Sequence, residues 1–312
     1  MPASHQTAPD QRPRLGISAC LTGLPVRYDG TDKRSGAFFA HIAPYVELYP
    51  LCPESAIGMP TPRPPIDLIQ TADGIVAQGK ADPTLNPTQS LQDLAKRIAE
   101  QPLDGFILTQ RSPSCGLGST KVYQHGHLVH ARGTGIFAAE LSHRRPDLLL
   151  IEDDALADPA CCFALLCGLH IHQRLPGDQP AARRLQQDLG YLIAGYSAEA
   201  WQQLEALSQQ DKVSDYREQL QLALKRWLEN PISVDLWLQQ VHHHLQSQHN
   251  QSQDNQSQHK KETEIPLSLA DLGNWLSHIA SNQTPPPRPL PFFKDWRVVS
   301  VEDNCENLDA VR

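Results

Sequence analysis

Residues 14–23, RLGISACLTG, run from an arginine through a short apolar stretch into Cys20 and a Thr-Gly turn. A run of this length bounded by turn residues reads as a buried strand that ends at the cysteine. The pattern recurs in YVELYPLCPE (45–54) and in GFILTQRSPSCG (105–116), which stop at Cys52 and Cys115. Three cysteines therefore sit just past the C-terminal ends of three predicted strands, where open parallel sheets collect their ligands.

Between these strands the texture alternates. AFFAHIA (37–43) predicts a short helix, IDLIQTADGIVAQG (66–79) a hairpin about Asp73-Gly74, and 90–100 a helix with Leu91, Leu94, Ala95 and Ile98 on one face and Ser90 as its cap. A second hairpin is predicted at His125-Gly126, then a helix over 135–144 and a strand at LLLIE (148–152). This alternation over residues 14–157 predicts a layered α/β domain with a mainly parallel, Rossmann-like sheet. From Asp158 the strand signals stop. DPACCFALLCGLHIHQRL (158–175) opens with a capping Asp and a Pro, and at least three amphipathic patterns follow between 181 and 246. An all-helical domain is expected over 158–296, carrying a flexible polar insert at 242–264 (HHHLQSQHNQSQDNQSQHKKETE) and a last helix near 270–279. Residues 1–13 and 297–312 read as tails.

The chain has 312 residues, a net charge of −8 and a pI near 5.9, which argues against a protein that coats nucleic acid duplexes or an anionic membrane. No stretch supplies the roughly 18 uninterrupted apolar residues of a spanning helix. Seven cysteines without dense regular spacing suit reduced thiols in a cytoplasmic protein better than a disulfide scaffold.

Cys20, Cys52 and Cys115 are 32 and 63 residues apart, so only the fold can assemble them into one site. If it does, three thiolates can hold a zinc ion or a cubane iron–sulfur cluster, and either leaves one metal position open. Glu54, stiffened by Pro53, is a candidate acid/base beside Cys52. Ser112 and Ser114 flank Pro113, where their hydroxyls can bind a ligand or cap the turn. Arg27 and Asp29 in the first loop and Arg63 in the second are candidate substrate-binding residues, an arginine there offering paired donors to an anion or carbonyl. Cys161, Cys162 and Cys167 spread around one apolar helix and read as core, and the histidines of the polar insert as solvated.

Five segments, GISACLTGLPVRYDG (16–30), LCPESAIGMPTPRPPIDL (51–68), QGKADPT (78–84), SPSCG (112–116) and GTGIFAAEL (133–141), together resemble the bacterial thiouracil desulfidase family over about residues 14–150. The resemblance implies a [4Fe-4S] cluster on Cys20, Cys52 and Cys115 whose fourth iron has no protein ligand, with Glu54 as acid/base and Ser112 as a substrate-site hydroxyl. It implies removal of sulfur from a small thiolated pyrimidine, the thiocarbonyl sulfur on the free iron and Glu54 activating water, with carbonyl product and sulfide released. No net electron transfer is involved, and no G-x-G-x-x-G fingerprint follows a strand. A zinc- or cluster-holding sensor or scavenging protein, and a hydrolase using Cys115 as nucleophile, stand as alternatives.

Overall fold

The computed structural model describes residues 12–254. The expected helix at 270–279, the C-terminal tail and most of the N-terminal tail lie outside the described residues. The chain divides into two compact units, one from Pro13 to Ala157 and one beginning at Asp158.

In the first unit the order is β1 (Arg14–Ser18), α1 (Gly36–His41), β2 (Glu47–Leu51), α2 (Pro53–Ala56), β3 (Ile66–Thr71), β4 (Gly74–Gly79), α3 (Thr88–Ala99), β5 (Gly105–Leu108), β6 (Leu117–Gln124), β7 (His127–Thr134), α4 (Ile136–Arg144) and β8 (Leu149–Glu152). One sheet has the order β2-β1-β5-β8, with every neighbouring pair parallel. Ile17 lies opposite Pro50 on one side and Ile107 on the other. Four of the five residues of β1 and all of β5 are buried, as strands covered on both faces must be.

The two predicted hairpins form, but they do not join that sheet. They pair with each other in a second sheet of order β4-β3-β6-β7, joined by a parallel β3–β6 pair in which Leu68 faces Val122. The mainly parallel sheet expected from sequence forms, and a second, mixed sheet accompanies it. The physical reason is polarity: on β6 Thr120 and Val122 are buried while Lys121 is exposed, and β7 is exposed from His127 to Arg132. Such strands suit a sheet with one solvated face.

α3 serves both layers. Leu94, Ala95 and Ile98 pack with Phe106, Phe137 and Leu141 in one cluster, while Leu91 joins Ile66, Leu68, Ala77, Val122 and Ile136 in another. The helix starts earlier than Ser90: Pro87 is its N-cap and Thr88 its first residue. The Thr88 hydroxyl accepts the Ala77 amide at 2.8 Å, which ties the helix start to β4.

The second unit contains α5 (Pro159–His172), α6 (Gln179–Tyr196), α7 (Ala198–Ser208), α8 (Val213–Glu229) and α9 (Val234–Asp254). Asp158 caps α5 through the Ala160 amide at 2.9 Å. Phe163 meets Trp227 and Trp237 edge-on at centroid separations of 5.9 and 4.8 Å, and the Trp237 indole donates to the Leu192 carbonyl at 3.1 Å. The expected flexible insert is corrected here, because α9 runs through its first half to Asp254. Buried Trp237 and Val241 anchor the helix, and once nucleated a helix extends cheaply through residues with little to bury. Residues 255–264 lie outside the described range. Among the described residues no helix is long and apolar enough to cross a membrane.

Candidate functional site

In the parallel sheet the chain moves from β1 to β2 on one side, then returns to place β5 on the other side of β1. The connections after β1 and β5 therefore leave in opposite directions, and the crevice between their carboxyl ends is the expected ligand position. Cys20 lies in a tight 3-10 turn directly after β1, Cys52 follows β2 as the N-cap of α2, and Cys115 closes the turn after β5.

The three thiols lie within electrostatic reach of one another. Burial is the main influence on Cys115 and pushes its thiol well above the ordinary range, the negative fields of Cys52, Cys20 and Glu54 push it further, and a hydrogen bond with Ser18 opposes them. Cys20 is also raised, first by burial, with Cys52 and Asp153 acting in the same direction and Thr109 and Arg27 against it. Its sulfur lies 3.1 Å from the Thr109 hydroxyl. The Cys52 thiol points to the Val26 carbonyl at 3.6 Å.

Glu54, in the single turn of α2, is held at both carboxylate oxygens. Arg63 Nε donates to Oε2 at 2.6 Å and Ser114 Oγ donates to Oε1 at 2.8 Å. Arg63 and Ser114 are both buried. The structure thus joins the turn after β5 to the loop after β2 through one carboxylate.

Ser112 has a different geometry. Its hydroxyl oxygen accepts the amides of Ser114 at 3.3 Å and Cys115 at 3.1 Å, capping the cysteine turn. The turn is further fixed by α4, whose first amides would otherwise lack acceptors. Ile136 donates to the Pro113 carbonyl at 2.9 Å, Ala138 to that of Ser114 at 3.1 Å, and Gly135 to that of Gly116 at 2.7 Å. A Cβ on Gly135 would lie 2.6 Å from the Ser114 carbonyl oxygen, which accounts for the glycine in GTG.

The remaining candidates separate. Arg27 lies within electrostatic reach of Cys20. Asp29 is exposed and serves its own turn, accepting the Thr31 hydroxyl at 2.6 Å and amide at 3.1 Å, bonds that hold its carboxyl below the usual range. Arg63 is no open donor pair, since its guanidinium is spent on protein partners. Sequence reading missed Ser18, Thr109, Lys33 and Asp153. Ser18 Oγ accepts the Thr109 amide at 3.0 Å, and Lys33 pairs with Asp153 at 2.8 Å while its own amide donates to the Cys20 carbonyl at 2.9 Å. The signal for Ser18 and Thr109 was a polar residue at the end of an otherwise apolar strand.

Residues 15–153 match the model of a family described as 2-thiouracil desulfurase. That span runs from β1 to just past β8 and includes every candidate site residue, and it bears out the resemblance read from residues 14–150. No protein of curated function matches the chain. One similar solved structure is described as a "[4Fe-4S]-dependent thiouracil desulfidase TudS"; it is 29% identical, the alignment covers 49% of this chain and 99% of that chain, and the TM-score is 0.37.

Proposed function

We propose that the α/β unit is a desulfidase that hydrolyses the carbon–sulfur bond of a small thiolated pyrimidine at a [4Fe-4S] cluster held by Cys20, Cys52 and Cys115. The observation that carries this reading is that three thiols from three strand ends lie within electrostatic reach of one another beside a buried, doubly held carboxylate. The donor set fits the group. Three cysteines at three strand ends, two buried and one half-buried, can each ligate a separate iron of a cubane and leave the fourth iron without a protein ligand.

When bound, the cluster would supply one iron free of protein, a Lewis acid suited to sulfur. The chain supplies the proton chemistry. Glu54 Oε1 and Oε2 each accept one hydrogen bond and keep lone pairs for a water, whose proton Glu54 takes as its oxygen joins the thiocarbonyl carbon. The balance is one water in, a carbonyl product and hydrogen sulfide out, with no change in oxidation state. Arg27, close to Cys20, is assigned to the substrate. Ser112 keeps a hydroxyl proton to donate, and Ser114 acts through Glu54. The chemistry is assigned to residues 14–157, and the reduced thiols suit the cytoplasm. Cys115, buried with its thiol pushed up, is a poor free nucleophile, which weighs against the hydrolase alternative.

Anaerobically reconstituted protein is expected to be brown, to hold about four irons per chain and to release sulfide from 4-thiouracil as uracil forms. Iron-free, colourless protein from that preparation would overturn the cluster assignment. Glu54→Ala should retain iron and lose turnover; an active variant removes Glu54 from the mechanism.

A further inference from the structure

Arg63 stands in the proline-rich loop between α2 and β3, yet its side chain is only 3% exposed. Each guanidinium nitrogen is engaged. Nε donates to Glu54 Oε2 at 2.6 Å, Nη1 to the Thr61 hydroxyl at 3.2 Å and the Pro60 carbonyl at 3.4 Å, and Nη2 to the Val26 carbonyl at 3.0 Å and to Cys52 Sγ at 3.8 Å. The backbone amide of the same residue donates to the Tyr28 carbonyl at 2.8 Å. These partners lie on two loops. Val26 and Tyr28 belong to the loop that carries Cys20, while Cys52, Glu54, Pro60 and Thr61 belong to the loop after β2.

A substrate clamp needs donors aimed at open space, and here the fork is closed on protein. Its planar geometry lets one cation bond a carboxylate, a carbonyl and a sulfur at fixed angles, which an ammonium on a flexible stem does not reproduce. We infer that Arg63 is a positioning residue, which holds Glu54 at the angle from which it takes the proton of the attacking water, without touching substrate. The inference rests on the desulfidase reading above. It replaces the substrate-binding role expected of Arg63 from sequence. A carboxylate displaced by an ångström costs on the order of 100-fold in rate.

The test compares Arg63→Lys, Arg63→Gln and Arg63→Gly with the wild type, all reconstituted anaerobically, measuring iron per chain, the electron paramagnetic resonance spectrum of the reduced protein, and kcat and KM for 4-thiouracil. Arg63→Lys and Arg63→Gln are expected to keep their iron and their KM, to lose about 100-fold in kcat, and to show an altered spectrum because the donor to Cys52 Sγ has changed. Ethylguanidinium should restore part of kcat to Arg63→Gly. A rise in KM at unchanged kcat overturns the inference and returns Arg63 to the substrate. Wild-type kcat in Arg63→Lys also overturns it, and so does loss of iron from that variant, which would make Arg63 part of the scaffold alone. Wild-type protein that takes up no iron or releases no sulfide overturns the desulfidase reading itself, and the inference with it.

Discussion

Ser114 donates its hydroxyl to Glu54 Oε1 at 2.8 Å across 60 residues of sequence, with both groups buried. One serine beside the cysteine turn thus holds the candidate base, while its neighbour Ser112 holds backbone amides. A hydrogen bond to a charged group contributes about 1.5–3 kcal/mol, so Ser114→Ala is expected to lower kcat by roughly 10- to 100-fold with iron retained. Ser112→Ala removes a cap and should cost about 1 kcal/mol in unfolding free energy. Steady-state kinetics and denaturant titration of the two variants check the division of labour.

Gly135 faces backbone. In Gly135→Ala the new methyl would stand 2.5 Å from the Ser114 carbonyl carbon and 2.8 Å from the Cys115 amide nitrogen, and neither can swing aside. The start of α4 must then lift off the cysteine turn, at an expected cost of about 1–3 kcal/mol. Thermal unfolding measures it, and iron retention in the same variant reports whether Cys115 has moved.

The three cysteines of α5 should react in order of exposure. Cys162 is buried and its thiol is pushed up to about 12, chiefly by burial; Cys167 is raised by burial as well, whereas Cys161 is half-buried. Near pH 8 Cys162 is therefore held as the thiol, whereas the thiolate is the reactive form. Iodoacetamide followed by peptide mapping should label Cys161 in the native protein and reach Cys162 and Cys167 only after denaturation.

Glu152 gives a pH dependence of stability. Its carboxyl is raised above 4.5, mainly by burial and also by Asp154 and Asp153, against hydrogen bonds from Ser119 and the Leu117 amide. A raised folded value favours the protonated form, so this contribution is whole below about pH 4.5 and is lost as pH rises through the folded value. Glu152→Gln keeps an oxygen for both donors, each at 2.5 Å in the wild type, and cannot ionise. The variant is expected to melt with the wild type at about pH 4 and above it at pH 7, as differential scanning calorimetry would read.

What sequence made legible were features with a local cause. Apolar runs ending at Cys20, Cys52 and Cys115 gave the strand ends, Asp73-Gly74 and His125-Gly126 the hairpins, and the spacing of Leu91, Leu94, Ala95 and Ile98 the inner face of α3. The pairing of Leu68 with Val122 has no local cause, and it is what joins the two hairpins into a second sheet. The partners of Arg63 were not legible for a related reason. A loop dense in proline looks exposed in sequence, and nothing in TPRPP announces that its arginine turns inward to Glu54 and Cys52. The different partners of Ser112 and Ser114, a backbone turn and a distant carboxylate, have no signal in SPSCG either.

The parallel pairing of β5 with β8 has a consequence for how this protein is made. The three thiols lie at residues 20, 52 and 115, but β5, whose end carries the Cys115 turn, gains its outer neighbour only with Leu149–Glu152. Domains fold as units while the ribosome is still extending the chain. All three cysteine-bearing turns and the strands that hold them therefore emerge from the ribosome before the helices that begin at Pro159.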